Sequence, residues 1–203
     1  MRKYAEELAT IVQASSDVAD KLTVEQIDNH VYFYSDVDSD RCLALIRTLR
    51  QVDTQLRNER ASRNIPNGHP PTPIWLHIYS YGGDLFAGLS MADQMRSLQS
   101  PVYSIIEGTC CSAATLIAMS CTRRYILPSS FILIHQFSTA MWGTHEQFKD
   151  EMKLQEAALE ALVKFYVTHS KAKAKAVRAM LKRDTWMGAA EALEQGFVDE
   201  VVG

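Results

Sequence analysis

Residues 74–84 read IWLHIYSYGGD, and the interpretation of this stretch decides the fold. Residues 74–79 form a short apolar run. Pro70, Pro71 and Pro73 precede it and Gly82-Gly83 follow it, so it has the length and the punctuation of a buried strand. Leu85, Leu89, Ala92 and Met95 then recur at helical spacing on one face. The same order returns at once: residues 102–106 are a second apolar strand, Gly108 begins a turn, and residues 112–121 suit a compact apolar helix. Strand, small-residue turn and helix, twice in succession, predict an α/β architecture.

Upstream, HVYFYSD at 30–36 suits a strand. A helix capped by Asp38, Ser39 and Asp40 should follow, with Leu43, Ile46, Leu49, Val52 and Leu56 as its apolar face. Residues 58–73, NERASRNIPNGHPPTP, hold four of the six prolines together with Asn67-Gly68. They predict a loop insertion, not a domain boundary, because the strand pattern resumes at Ile74. Nearer the start, residues 3–13 suit a short helix, and a weaker one extends to about residue 27. Downstream, residues 125–127 and 131–135 predict two short strands around Pro128-Ser129-Ser130. A long amphipathic helix spans about residues 146–166, with Phe148, Met152, Leu159, Leu162, Val163 and Tyr166 as its stripe. A helix over about 173–182, an extended segment at Asp184, a last helix stopping at Gly196 and a strand over 197–202 complete the pattern. The expected organisation is one domain over residues 1–203, with a distinct N-terminal segment 1–29 and the insertion at about 58–73.

The chain has 203 residues, 47% of them hydrophobic and 22% charged, enough to bury a core and too apolar for global disorder. Its net charge of -3 gives no sign of the concentrated basic surface that nucleic-acid binding requires. The longest uncharged stretch, between Glu107 and Arg123, falls short of the ~20 apolar residues of a membrane span. Glu6 and Glu7 interrupt any signal-peptide core. A cytoplasmic protein without membrane or nucleic-acid partners is expected. Cys42, Cys110, Cys111 and Cys121 match no zinc spacing, and no histidine forms an i, i+4 ligand pair. Neither metal nor cofactor is therefore expected.

Chemistry concentrates at the two strand-to-helix turns. Gly82-Gly83 lets the backbone approach a ligand closely, and Ser112 begins a helix whose first N–H groups lack partners. Together these turns offer an oxyanion hole beside a nucleophile, with Gly83 and Ala113 as donors. Each residue also has a plainer interpretation: a simple turn for the glycines and an N-cap for Ser112. His135, at the end of the apolar run 131–134, could as readily bond a backbone carbonyl, and Asp184 could form a surface ion pair or cap the last helix. Ser112 lacks the Gly-x-Ser-x-Gly elbow, which excludes the α/β-hydrolase arrangement.

As an ordered set these residues say more. Tyr79-Ser80-Tyr81-Gly82-Gly83 with Ala87-Gly88, Gly108-Thr109-Cys110-Cys111-Ser112-Ala113-Ala114, Ile132-Leu133-Ile134-His135-Gln136, Arg183-Asp184, Ala190-Glu191-Ala192 and Gly196-Phe197-Val198-Asp199 resemble, in that order, the Clp protease proteolytic subunit family. The resemblance implies a spiral of strand–strand–helix units, of the type shared with crotonases, and a protruding long helix. It implies a serine endopeptidase with Ser112 as nucleophile, His135 as general base and acid, Asp184 as the acid that orients it, and Gly83 and Ala113 around the oxyanion. It further implies that Ser138, Thr139, Ala140, Met141, Trp142, Gly143 and Thr144 offer a strand edge to an extended peptide or unfolded protein. Self-assembly into heptameric rings, stacked as a tetradecamer, and an AAA+ unfoldase partner belong to the same implication.

Some positions depart from the family pattern. Tyr81 and Phe137 stand where prolines are usual, Thr139-Ala140 replaces a glycine pair, and Lys182 replaces an acidic residue that helps join rings. With the unusual first thirty residues, these mark a divergent branch of the kind carried by phages or other mobile elements. Two other functions fit parts of the sequence: a non-catalytic ring scaffold, and an acyl-CoA-processing enzyme on the related crotonase spiral. The retention of Ser112, His135 and Asp184 together argues against both.

Overall fold

The computed structural model describes residues 24–66 and 68–203. The helix expected over 3–13 lies outside the described residues. Residues Val24–Ile27, read as the end of a weak helix, form strand β1 instead. VEQI alternates half-buried and exposed positions, a period of two that fits a sheet edge, and it pairs antiparallel with β2 (His30–Tyr34).

From β2 the sheet continues in parallel through β3 (Ile74–Ser80), β4 (Val102–Cys111), β5 (Arg123–Ile126) and the short β8 (Glu200–Val201). Three helices connect these strands: α1 (Ser39–Ser62), α2 (Leu85–Met95) and α3 (Ala113–Met119). Each strand sends alternate residues into the core. Val31, Phe33, Leu76, Ile78, Ile106 and Ile126 are buried with Leu45, Leu49, Met91 and Leu116 from the helices. Each such side chain contributes roughly 1.5–3 kcal/mol by leaving water. The parallel order with helical connections is the predicted α/β class.

Strand β4 is the branch point. Its residues Tyr103–Ile106 pair with Arg123–Ile126 of β5. Its last residues, Thr109–Cys111, pair instead with Phe131–Leu133 of β6 (Phe131–Ile134). Between the two halves the register against β3 slips: Ile78 faces Ile106, but Ser80 faces Cys110. Gly108 sits in that slip with φ of 78°, and its N–H donates to Ser130 Oγ at 2.7 Å. A Cβ there would lie 2.8 Å from the Tyr79 ring. Gly108 is therefore a bulge within one strand, where the sequence suggested a turn ending it. β6 pairs in turn with β7 (Thr185–Gly188), antiparallel, with Ile134 opposite Thr185.

The remaining helices are α4 (His145–His169), α5 (Ala174–Leu181) and α6 (Ala189–Gln195). Thr144 and Gln147 form a reciprocal capping box that starts α4 one residue before the expected position. The expected stripe divides into two parts. Leu162, Val163 and Tyr166 are buried in the core and Leu159 packs half-buried against it, whereas Phe148 and Met152 are exposed.

Three further expectations need correction. Helix α1 continues to Ser62, five residues into the stretch read as loop, because Glu59, Arg60 and Ala61 favour helix and the stop comes only near Pro66. The Arg60 guanidinium then ties the returning loop by donating to the carbonyls of Pro66, His69 and Pro70. On the same helix Leu45 takes the core position expected of Leu43, which is exposed. The closing strand shrinks to two residues, as Phe197 and Val198 are buried in the bend after Gly196.

The sheet face away from the helices carries a hydrogen-bonded row. His30 Nδ1 and His77 Nε2 lie 2.9 Å apart, His77 Nδ1 is 2.7 Å from Glu107 Oε1, and Tyr34 O–H donates to Glu107 Oε2. Burial and then the Glu107 carboxylate push the Tyr34 phenol up to about 12. Burial first, and the neighbouring His77 second, hold His30 below its usual value of 6.5, against a smaller opposing pull from Asp28. Below pH 6.5 the unfolded chain therefore takes up this proton before the folded one, so stability falls as pH drops. His30→Gln is expected to flatten the decline of thermal midpoint between pH 7 and pH 5, measured by calorimetry. A decline as steep as that of the unmodified chain would contradict the assignment.

Candidate active site

Ser112 links β4 to α3 and has φ of 52° and ψ of −124°. Few residues with a Cβ adopt such a backbone, which costs of order 1–3 kcal/mol and persists only when the surroundings impose it. Here they do. Ser112 N–H donates to Leu133 O at 2.8 Å, which clamps the turn to β6. Thr115 donates to Ser112 O through both its N–H, at 2.9 Å, and its hydroxyl, at 2.6 Å. With that hydroxyl proton committed, Tyr166 O–H donates to Thr115 Oγ1 at 2.7 Å, so α4 supports the turn from below. Burial pushes the Tyr166 phenol well up and keeps it a neutral donor. The Ser112 side chain makes no cap bond, which removes the N-cap interpretation.

The glycine pair lies against this turn. Gly82 has φ of 90°, and a Cβ there would come within 2.5 Å of Cys111 O and 2.8 Å of Ser112 Cβ. Gly83 has φ of 148°, and its Cβ would fall 2.2 Å from Val37 O. Val37 N–H donates to Gly82 O at 2.8 Å, and Asp84 N–H donates to Val37 O at 2.7 Å. This bridge consumes the groups on either side of the Gly83 N–H and leaves that N–H unpaired among the described residues. Ala113 N–H, at the first position of α3, has no intrahelical acceptor.

β6 and β7 bring the other two residues in. His135 follows β6 by one position and Asp184 precedes β7 by one, just beyond the Ile134–Thr185 pair. His135 Nδ1 lies 3.6 Å from Asp184 Oδ1, an ion-pair separation longer than a hydrogen bond. The carboxylate is 74% exposed. The cap of α6 is Gly188, so Asp184 does not cap it. No hydrogen bond joins Ser112 Oγ to the imidazole. Such contacts are often long before substrate binds.

Ser112, Ala113, His135 and Gly83 line one cavity of about 460 Å³, walled on its far side by Leu154, Ala158 and Leu162 of α4. Of the segment expected to hold substrate, Ser138 and Thr139 reach the cavity. Residues 140–144 do not line it, and Trp142 is fully exposed. Residues 135–144 pair with no other strand among the described residues. Tyr81 and Phe137 both line the cavity. Among the described residues no group of His, Cys, Asp and Glu side chains is arranged to hold a metal ion.

The family model for Clp protease matches residues 65–203. The chain belongs to the Clp protease family, whose members are serine-type endopeptidases. It is 29% identical over 192 residues to the ATP-dependent Clp protease proteolytic subunit 1 of Protochlamydia amoebophila, covering 92% of this chain and 87% of that one. It is 35% identical over 136 residues to the ATP-dependent Clp protease proteolytic subunit of Lactococcus lactis subsp. lactis, covering 64% and 67%. A point mutant of ClpP1 from Listeria monocytogenes superimposes with a TM-score of 0.72 at 20% identity, over 86% of this chain and 91% of that one. The expected Clp-protease-like fold is thus the fold observed.

Sequence reasoning missed Tyr166 as a support of the Ser112 turn. Its place in an apolar stripe is equally that of a core residue, and only its pairing with Thr115, 51 positions away, distinguishes the two roles. It also missed Glu151 and Leu154, which line the cavity from α4. Because a Gly82 Cβ would meet backbone atoms and Ser112 itself, Gly82→Ala is expected to lower the thermal midpoint and abolish labelling of Ser112 by a fluorophosphonate probe. Normal labelling at an unchanged midpoint would show that the turn tolerates a displaced neighbour.

Proposed function

We propose that Ser112, His135 and Asp184 are the catalytic triad of a serine endopeptidase acting on peptides or unfolded proteins, with the N–H groups of Gly83 and Ala113 as its oxyanion hole. The observation that carries this reading is the backbone of Ser112. A strained serine, held by three hydrogen bonds yet free of any capping bond, presents its hydroxyl to a cavity that His135 also lines.

Asp184 faces Nδ1 of His135, which leaves Nε2 to serve the hydroxyl. In the first half-reaction a bond forms from Ser112 Oγ to the peptide carbonyl carbon while the Oγ proton passes to His135 Nε2. The carbonyl oxygen takes negative charge and is met by the two N–H donors. The imidazolium then gives its proton to the leaving amine as the C–N bond breaks, and an acyl-serine remains. In the second half-reaction a water oxygen bonds to the ester carbonyl carbon while its proton passes to Nε2, the carbon–Oγ bond then breaks as Nε2 returns the proton to Oγ, and the carboxylic acid product leaves Ser112 restored. Asp184 fixes the tautomer and stabilises the transient cation. Tightening of the 3.6 Å contact belongs to substrate binding. The segment 138–144, with no strand partner among the described residues, is available to pair with an extended substrate.

The whole chain acts as one domain in this reading, in the cytoplasm. Members of the family form oligomeric rings, and the exposed apolar side chains of Phe148 and Met152 at the start of α4 require cover that a neighbouring subunit would supply. Rings of seven, stacked in pairs, would enclose the cavities in a chamber. A separate AAA+ unfoldase would supply the ATP dependence that the relatives' names carry.

Ser112→Ala is expected to lose peptide hydrolysis by several powers of ten, together with probe labelling, while keeping its assembled mass. Asp184→Asn is expected to retain assembly and lose most of its turnover, since an amide holds the imidazole in the wrong tautomer. Steady-state kinetics beside light scattering tests each part. Unimpaired hydrolysis by Ser112→Ala would overturn the mechanism, and a monodisperse mass near 23 kDa at micromolar concentration would overturn the assembly.

A further inference from the structure

The cavity beside Ser112 carries a charge pattern that the triad does not use. Its wall from α3 and α4 is apolar, built by Leu116, Leu154, Ala158 and Leu162. Two carboxylates also line it, Asp84 at the glycine turn and Glu151 on α4, and among the described residues no lysine or arginine does. Neither carboxylate has a cation of its own among those residues. Asp84 Oδ1 accepts the Ala87 N–H at 2.6 Å as the cap of α2, and Glu151 Oε1 accepts only from Gln155 Nε2 at 3.3 Å. The contrast along α4 is direct. Glu146 pairs with Lys149 at 2.8 Å and Asp150 with Lys153 at 3.0 Å, both at i, i+3. The positions three and four beyond Glu151 are Leu154 and Gln155, so this carboxylate, the half-buried one that reaches the cavity, is the one left without a counterion on its own helix.

A half-enclosed carboxylate with an apolar approach suits a side chain with an apolar stem and a cationic tip. Such side chains lay their methylenes along apolar surface and extend the charge beyond it. With the attacked carbonyl at Ser112, the substrate side chain nearest the cavity is that of the residue supplying the carbonyl, P1. We propose that this cavity is a P1 pocket selective for lysine and arginine, with Glu151 as the specificity-determining carboxylate and Asp84 adding to the negative field at its mouth. The inference rests on Ser112 being the nucleophile. It goes beyond that reading by naming the substrate class.

The test is a set of short fluorogenic peptides identical except at P1, carrying lysine, arginine, norleucine, leucine or glutamate. Norleucine keeps the lysine stem without the ammonium group, so the lysine-to-norleucine ratio of kcat/KM isolates the charge. The expected ratio is about fivefold in the unmodified protein, the upper range for one partly screened ion pair. It should fall toward unity in Glu151→Gln and favour glutamate at P1 in Glu151→Lys. Because each ratio comes from one preparation, it does not depend on the assembled fraction. Norleucine or leucine cleaved as well as lysine would overturn the selectivity while Ser112 labelling left the peptidase reading intact. The same holds for a lysine preference unchanged in both Glu151 variants. Protein that neither labels at Ser112 nor cleaves any member of the set would overturn both readings.

Discussion

One constraint organises the molecule: β4 changes partners halfway along. A strand that simply ended at residue 106 would pair with β5 and deliver the chain to a helix, as β3 does. The bulge at Gly108 adds residues against β3 and redirects the last part of the strand onto β6. Ser130 Oγ, from the turn that joins β5 to β6, receives the Gly108 N–H, so the bulge is tied to that turn. Everything at the site follows from this exchange. Pairing of Cys111 with Leu133 puts Ser112 N–H on Leu133 O, and two residues beyond Leu133, one past the end of β6, stands His135. The antiparallel return of β7 then sets Asp184 opposite.

That exchange explains what could be read from the sequence and what could not. The short apolar runs of β3 and of the first half of β4 are local information, and so are the helical spacing of α2 and the glycines that follow each strand. These gave the α/β class and the two turns. Gly108 looked like a strand end because a glycine with positive φ serves turns and bulges alike. The difference lies in a partner, Ser130, that is 22 residues away. The helix boundary at Ser62 failed for a related reason. Prolines dominated the interpretation of residues 58–73, whereas helix termination depends on where the first one acts, and none precedes Pro66. For Leu43 and Leu45 the spacing of apolar residues permits either face, and packing against β1 and β2 selects Leu45.

The site residues were legible as types in an order. Their geometry required strand pairings between distant positions, Cys111 with Leu133 and Ile134 with Thr185. Taken alone, Ser112 in the sequence is the better fit to an N-cap, and only the structure removes this, since at φ of 52° its side chain makes no capping bond. Tyr166 presents the converse case. It reads as an apolar core residue and is one, but its hydroxyl also completes the chain of donors from Tyr166 through Thr115 to the Ser112 carbonyl.

Tyr81 and Phe137, at positions where the family resemblance leads to an expectation of proline, separate what the fold demands from what the cavity selects. At the position before the glycine pair, proline would restrict φ and the residue preceding it. Tyr81 imposes neither restriction, yet the turn forms. The conformation therefore resides in Gly82 and Gly83, where any Cβ would strike backbone of the Ser112 turn or of Val37. Position 81 is left free to vary, and here it places a ring at the cavity mouth, its hydroxyl 3.1 Å from that of Tyr79. Phe137 does the same on the opposite side, after His135 has been fixed by β6. Glu151 belongs with these two residues and not with the glycines: it holds no turn and closes no strand pair. The backbone of the site is thus set by contacts that admit no side chain, and the character of the cavity by side chains that no backbone contact requires.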